Sequence, residues 1–201
     1  MKSEERFKLR ADMRLALGER ILYRIEALQD LDRHGVKKGD LGGYLEKESN
    51  LGENAWVFDN AKVFGDAKVF GDAQVYGDAK VFGSARVFDN AEVFGDAKVY
   101  GYVWVYGDAE VYGDAWIGGD ARVSCDVIKS TDDCINIINT RHSITITPNF
   151  INIGCQRHTK AAWWRFTGKE ILAMDGRDGL KWWKKWKPIL MAICEENEKG
   201  E

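Results

Sequence analysis

The sequence predicts a mainly β protein whose body is a left-handed parallel β-helix, with a β-hairpin before it and a small α+β domain after it. Three observations predict this: a strict period of six, a corner dipeptide in nearly every unit, and an abrupt loss of the period after Asp126. From Ala55 onward the unit is Gly-Asp-Ala-x-Val-Phe/Tyr, as in Gly65–Phe70 and Gly95–Tyr100. Twelve consecutive positions at a spacing of six carry a β-branched aliphatic, from Val57 through Val87 and Ile117 to Val123. The register extends back through Leu51 and Leu45, giving about fourteen units. A repeat this regular takes precedence over local propensity in assigning the fold.

Each unit reads as a short strand and a corner. Alanine and the valine two residues later point to one side of the strand, and the intervening residue and the aromatic point to the other. Glycine permits a left-handed backbone at the corner, and the Asp or Asn after it suits a tight turn. Three units close a triangular coil of 18 residues, and coils stack at about the inter-strand spacing of ~4.8 Å. Small alanine beside valine leaves the interior room for little else.

Stacking by 18 fixes the outward columns. The aromatics form three ladders: Phe58, Tyr76, Phe94, Tyr112; then Phe64, Phe82, Tyr100; then Phe70, Phe88, Tyr106. The residue before valine gives one face of Trp56, Gln74, Glu92, Glu110. The others read Lys62, Lys80, Lys98, Trp116 and Lys68, Arg86, Trp104, Arg122. Same-face stacking with lysine stems across the rings accounts for such ladders as sheet stabilisation. Ten outward rings of at least ~150 Å² each still predict that some face is covered, by another copy or a flanking segment. One unit departs from the pattern: Gly101–Tyr106 puts Tyr102 at the corner in place of Asp and Val103 in place of alanine.

The expected domains are residues 1–44, a capping segment; 45–128, the β-helix; and 129–201, the small α+β domain. In the first, a charged stretch through Arg6 leads to a hairpin over Met13–Leu28, turning at Leu17-Gly18-Glu19, which caps the sticky end of the solenoid. In the last, strands are expected near Cys134–Ile138, Ser143–Thr147 and Phe150–Ile153. A short helix from Thr159 follows, then a capping box at Thr167–Glu170 for another helix. A final helix from about Asp178 carries Leu180, Trp183, Trp186, Leu190 and Ile193 on one face. Five tryptophans fall within 163–186 and read mainly as core, with a base-stacking platform as the alternative.

Charge is uneven. Residues 54–126 hold 6 basic and 12 acidic side chains, and 127–201 hold 12 and 9, so an acidic body meets a mildly basic tail. That balance makes no case for a general nucleic-acid binder. No apolar run reaches the roughly 18 residues of a membrane span, and no signal-peptide pattern opens the chain, so a cytoplasmic location is expected. Cys125, Cys134, Cys155 and Cys194 are scattered, which fits free thiols better than a disulfide framework.

The stretch Leu22-Tyr23-Arg24-Ile25 … Val36-Lys37-Lys38-Gly39-Asp40-Leu41-Gly42-Gly43-Tyr44 … Asn50-Leu51, followed by Ala55–Ala61, resembles the YdcK-like hexapeptide-repeat proteins of bacteria and prophages. The likeness covers roughly residues 20–126, and the tail around Ile153–Thr159 is similar to C-terminal segments of phage-borne members. The resemblance implies the β-helix and a phage or prophage setting.

Residue chemistry gives three readings. Many β-helix proteins are coenzyme A acyltransferases, which need a histidine base at an inter-subunit cleft. The repeat from Leu45 to Ile128 has none, so His34, His142 or His158 would have to serve. Cys155-x-x-His158 has zinc-ligand spacing but needs two more ligands, with Cys134 and His142 nearest in sequence. Asp78, Asp96 and Asp114 form a corner column, read as solvated turn residues rather than a Ca²⁺ site. No metal and no cofactor are therefore expected. The leading expectation is a non-enzymatic, homo-oligomeric (dimeric or trimeric) binding or scaffold protein acting by protein contact, with inhibition of a host defence protein as one use. Its expected contact residues are Tyr102, Trp104, Tyr106, Trp116 and Trp56. The acyltransferase and a nucleic-acid mimic or nucleotide-sequestering protein stand as alternatives.

Overall fold

The computed structural model describes residues 6–52 and 54–197; the charged start Met1–Glu5 lies outside the described residues. Strand β1 (Phe7–Leu17) and β2 (Arg20–Ala27) form the expected hairpin, turning at Gly18 with φ 61°. It begins earlier than the alternation from Met13 implies, and a register shift between Arg10 and Arg14 bends it. Strand β3 (Leu41–Leu45) pairs antiparallel with β2 and parallel with Lys62–Val63, so it converts the hairpin into the first rung of the solenoid. The glycines of the lead-in motif are needed there. A Cβ at Gly42 would lie 2.5 Å from the Val57 carbonyl oxygen, and one at Gly43 2.6 Å from that of Ala61.

Thirteen strands of two or three residues follow, from Trp56–Val57 to Val127–Ile128. They form a parallel β-solenoid with three faces. One sheet runs from the hairpin through Lys62–Val63, Lys80–Val81 and Lys98–Val99 to Trp116–Ile117. The second is Trp56–Val57, Gln74–Val75, Glu92–Val93, Glu110–Val111 and Val127–Ile128, and so counts five coils. The third runs from Lys68–Val69 through Arg86–Val87 and Trp104–Tyr106 to Arg122–Ser124. Partners lie 18 residues apart, as in Val75 opposite Val93 and Val81 opposite Val99, except at the last rung, where Glu110 faces Val127 and Val111 faces Ile128 at a spacing of 17.

The interior is the alanine and valine columns, every residue from Ala55 to Val111 in them fully buried. Corner glycines take φ near 69°, and where Asp59 and Asp89 replace them at φ 51° and 59° each carboxylate repays the strain. Their oxygens accept from the N–H of Gly77 and Gly107 in the next coil, both at 3.1 Å. Outside, the aromatic ladders stack ring on ring: Phe64–Phe82 at 5.0 Å, Tyr76–Phe94 at 4.6 Å, Phe88–Tyr106 at 5.2 Å. Each ring hides a face of its neighbour, and among the ladder residues only Tyr100 is classed as exposed. The outward aromatic area is thus smaller than column counting implies.

Beyond Ile128 a four-stranded antiparallel sheet closes the end of the solenoid: β17 (Ile135–Ile137), β18 (Ile144–Ile146), β19 (Phe150–Ile153) and β20 (Gln156–Thr159). The fourth strand was not expected. It follows a Gly154 turn at φ 58°, and its alternation is masked by polar Gln156, Arg157 and His158. Helix α1 (Lys160–Arg165) starts at Thr159, whose hydroxyl accepts from Ala162 N–H. Helix α2 (Gly168–Asn197) opens on the expected capping box, Thr167 N–H donating to Glu170 Oε2 at 2.7 Å. A kink at Asp175–Gly176 separates it into two halves, which correspond to the helix expected from the capping box and the one expected from about Asp178. Trp163, Ile171, Trp183, Leu190 and Cys194 are buried against the sheet in a second core. No helix among the described residues is long and apolar enough to cross a membrane.

Candidate functional site

The irregular unit creates a local aromatic surface by two departures from the repeat. At that corner the other coils carry Asp66, Ser84 and Asp120, and the irregular one carries Tyr102, 69% exposed. Val103 fills the alanine position inside and is fully buried, so the coil keeps its path. One coil later, Gly118 stands where the ladder would continue. A Cβ there would lie 2.3 Å from Tyr100 Cζ, so the bare backbone lets the Tyr100 ring lie down against it. Tyr100 then meets Trp116 edge-on at 6.5 Å, and Trp116 is 53% exposed with Lys98 Nζ 4.3 Å from its ring centroid.

Trp104 lies two residues on, at the next face. Arg86 and Arg122 flank it at 5.4 and 4.6 Å, and its edge rests on Phe88 at 5.9 Å. Such cation–π pairs hold the indole half-buried and in place. Tyr100, Tyr102, Trp104 and Trp116 therefore gather near one corner, rimmed by Lys98, Arg86 and Arg122. Tyr106 belongs to the following corner, stacked on Phe88 and half-buried.

Trp56 must be removed from this set. Column counting gives it an outward position, but it is fully buried, with Phe7 of the hairpin edge-on to it at 6.4 Å. Leu9 and Leu31 pack against the same core. The hairpin is the cover for the apolar end of that face, and Trp56 is no contact residue.

A second feature was not read from the sequence. The loop carrying Arg33 and His34 overhangs the second face and encloses a polar cleft with about 680 Å³ of empty space including its mouth. Its floor is Gln74, Glu92 and Glu110, and its side is the corner column Asp72, Asn90, Asp108. Asparagines relieve the repulsion in that column: Asn54 Nδ2 donates to Asp72 at 3.1 Å and Asn90 Nδ2 to Asp108 at 3.0 Å. Arg33 bridges Asp72 at 3.1 Å and Asn90 at 3.3 Å. His34 Nε2 sits 2.7 Å from the Asn54 carbonyl oxygen, leaving Nδ1 buried without a partner. Burial, then the hydrogen bond to Glu92, raise the Tyr76 phenol well above its ordinary range. The floor and column were legible at a spacing of 18; the overhang depends on tertiary packing of the loop.

The remaining chemistry is dispersed. Cys155 is exposed at the β19–β20 turn, whereas His158 is wedged edge-on between Trp163 and Phe166 at 5.1 and 4.9 Å. Cys134 packs against the solenoid core, its thiol pushed up to about 12 by burial and then by Asp126 and Asp133. His142 pairs with Asp175 at 2.8 Å. Among the described residues, no three His, Cys, Asp or Glu side chains converge as metal ligands.

The repeated coil and its ladders define a parallel β-solenoid protein of the hexapeptide type. More particularly, the family model described as YdcK Beta solenoid repeat matches residues 73–89, one coil in the middle of the run, so this part of the solenoid is similar to the YdcK repeat. No curated protein matches the chain.

Proposed function

We propose that the protein is a non-catalytic binding or scaffold protein that self-associates and contacts a partner protein through the corner built by Tyr100, Tyr102, Trp104 and Trp116. The observation that carries this reading is Tyr102. A large ring, 69% exposed, occupies a corner position that the rest of the column gives to Asp or Ser. It serves no packing need there, and its neighbour Trp116 is also more than half exposed. Rigid aromatics rimmed by arginine are the residue types that dominate protein interfaces. A phage or prophage setting, and blocking of a host defence protein, fit a prism that presents such a corner to a partner.

The test restores the repeat: Tyr102→Asp with Trp116→Lys. Light scattering should give a dimer or trimer for the wild type and the 22.8 kDa chain mass for the double variant. Recovery of a host protein on the immobilised wild type should be lost together with it. A monomeric wild type, or equal recovery by both, would sink the reading.

A coenzyme A acyltransferase draws some support from His34 over the polar cleft. Its charge argues against it: Asp72, Glu92, Asp108 and Glu110 face Arg33 as the cleft's only guanidinium, which repels a polyphosphate. Saturable coenzyme A binding that disappears in His34→Ala would reverse this order. Nucleic-acid mimicry by the same carboxylates is weakened by the interleaved Asn54, Asn90 and Arg33.

A further inference from the structure

Beside the β19–β20 turn, the two halves of α2 enclose a cavity with about 500 Å³ of empty space including its open mouth. The kink makes it. Asp175 and Gly176 leave the helical region, and so Ile171 and Met174 before the kink and Trp182 and Trp183 after it line one space. Trp163 and Ile153 complete mainly apolar walls. Apolar walls with a few convergent polar groups are the usual composition of a small-molecule site.

The polar groups here are specific. Trp182 Nε1 is a buried donor without a hydrogen-bond partner. Buried indole N–H groups ordinarily find one. His142, edge-on to Trp182 at 5.3 Å, uses Nε2 against Asp175 Oδ2 at 2.8 Å. Asp175 also accepts from Arg141 Nε at 3.0 Å, and these two partners, Arg141 first, hold its carboxyl below the ordinary value. Asp175 accepts at this contact, so Nε2 carries a proton, and in the neutral form of the ring Nδ1 keeps a lone pair. Gly179 supports the arrangement: a Cβ there would lie 2.4 Å from Asp175 Oδ2. A buried, unpaired indole N–H and the His142 ring thus belong to the same wall among tryptophan rings. Asp175, the charged group on the wall, is already neutralised by Arg141. Cys155 lies at the rim and is exposed.

We propose that this cavity binds a small, uncharged heteroaromatic molecule, whose ring acceptor takes the Trp182 N–H and whose N–H donates to His142 Nδ1. The tryptophans stack the ring, and the paired Asp175 excludes any need for a charged ligand. The site is separate from the Tyr102 corner and does not depend on it.

Benzimidazole, which carries one donor and one acceptor on a planar ring, is the probe. Titration calorimetry of the full chain should show saturable binding to one site. The 1-methyl derivative, lacking the donor, and the Trp182→Phe variant, lacking the indole N–H, should each bind about tenfold more weakly. Indole, which has no ring acceptor, should be insensitive to Trp182→Phe. Saturating benzimidazole should also slow iodoacetamide alkylation of Cys155 severalfold while leaving exposed Cys125 on the solenoid unchanged. That protection and the methyl comparison are read on the wild type, so they decide the matter if Trp182→Phe does not fold. Absence of saturable binding would overturn the proposal. So would equal affinity for benzimidazole, its methyl derivative and naphthalene, which would mark a merely greasy cavity.

Discussion

The solenoid and the C-terminal domain are built on opposite principles. In the solenoid one rule repeats: alanine and valine inside, an aromatic on the ladder, a left-handed corner, and backbone hydrogen bonds mainly to the coil above and below. Its stability is a sum of nearest-neighbour terms, as in other repeat proteins. The C-terminal domain has no repeat, and its core is a unique fit of tryptophans, isoleucines and a kinked helix. The difference locates the weak point of the molecule at the junction, where a periodic edge must be matched by an aperiodic partner.

Asp126 is that match, and it carries the largest predicted effect. It is 3% exposed and accepts from Thr147 Oγ at 2.5 Å, Asn149 Nδ2 at 2.9 Å and the backbone N–H groups of Asn149 and Val127 at 3.1 Å. Around it, Arg157 donates to the Ser124 carbonyl and Asn152 Nδ2 to that of Arg122 at 2.8 Å. Asp126→Ala orphans several buried donors at once and should cost about 2–4 kcal/mol. Calorimetry should then show the C-terminal domain melting ahead of the solenoid. A single transition moved down without splitting would break the comparison, since the two regions would then unfold as one.

A pair of glycines sharpens it. Gly71 and Gly176 both have φ 69°, one at a solenoid corner and one at the α2 kink. A Cβ on Gly71 would come within 2.8 Å of the Asp89 backbone nitrogen in the next coil, whereas nothing lies within 4 Å of one on Gly176. Gly176→Ala should cost about 1–3 kcal/mol, because φ 69° with ψ −166° is open essentially to glycine alone. Gly71→Ala adds overpacking of about 1–3 kcal/mol from coil stacking to its own corner strain of about 1–2 kcal/mol. A Gly71→Ala loss confined to about 1–2 kcal/mol in urea denaturation would mean that the coils can part freely and that their spacing is not what fixes the corner glycine.

How far the sequence could be read follows the same divide. Val57 through Val123 announce their strands, faces and register, because a period of six has one structural solution and its columns follow from arithmetic. The Tyr102 corner was legible for the same reason, as a break in a known column. Trp56 was misplaced because the column says only that it points outward, and the hairpin that covers it is a tertiary event involving Phe7. The α2 kink falls between the two helices that the sequence separates, at the breaker Asp175-Gly176, whereas β20 was missed because Gln156–Thr159 shows no apolar alternation. The cavity between them arises from that kink, so no local pattern announces it.

The smallest effect concerns the tie between Asp175 and its partners Arg141 and His142. Arg141, then His142, lower the Asp175 carboxyl below its ordinary 3.8 in the folded chain. A carboxyl lowered by folding contributes stability that is present above 3.8 and is lost as the pH falls through the lowered value. Asp175 is partly open to solvent, so screening keeps the contribution small. The wild type should therefore melt slightly above Asp175→Asn at neutral pH, and the gap should close as the pH drops below 3.8. A difference that persists unchanged into acid would mean that Asp175 holds the kink by shape rather than charge, and the His142 tautomer would lose its electrostatic basis.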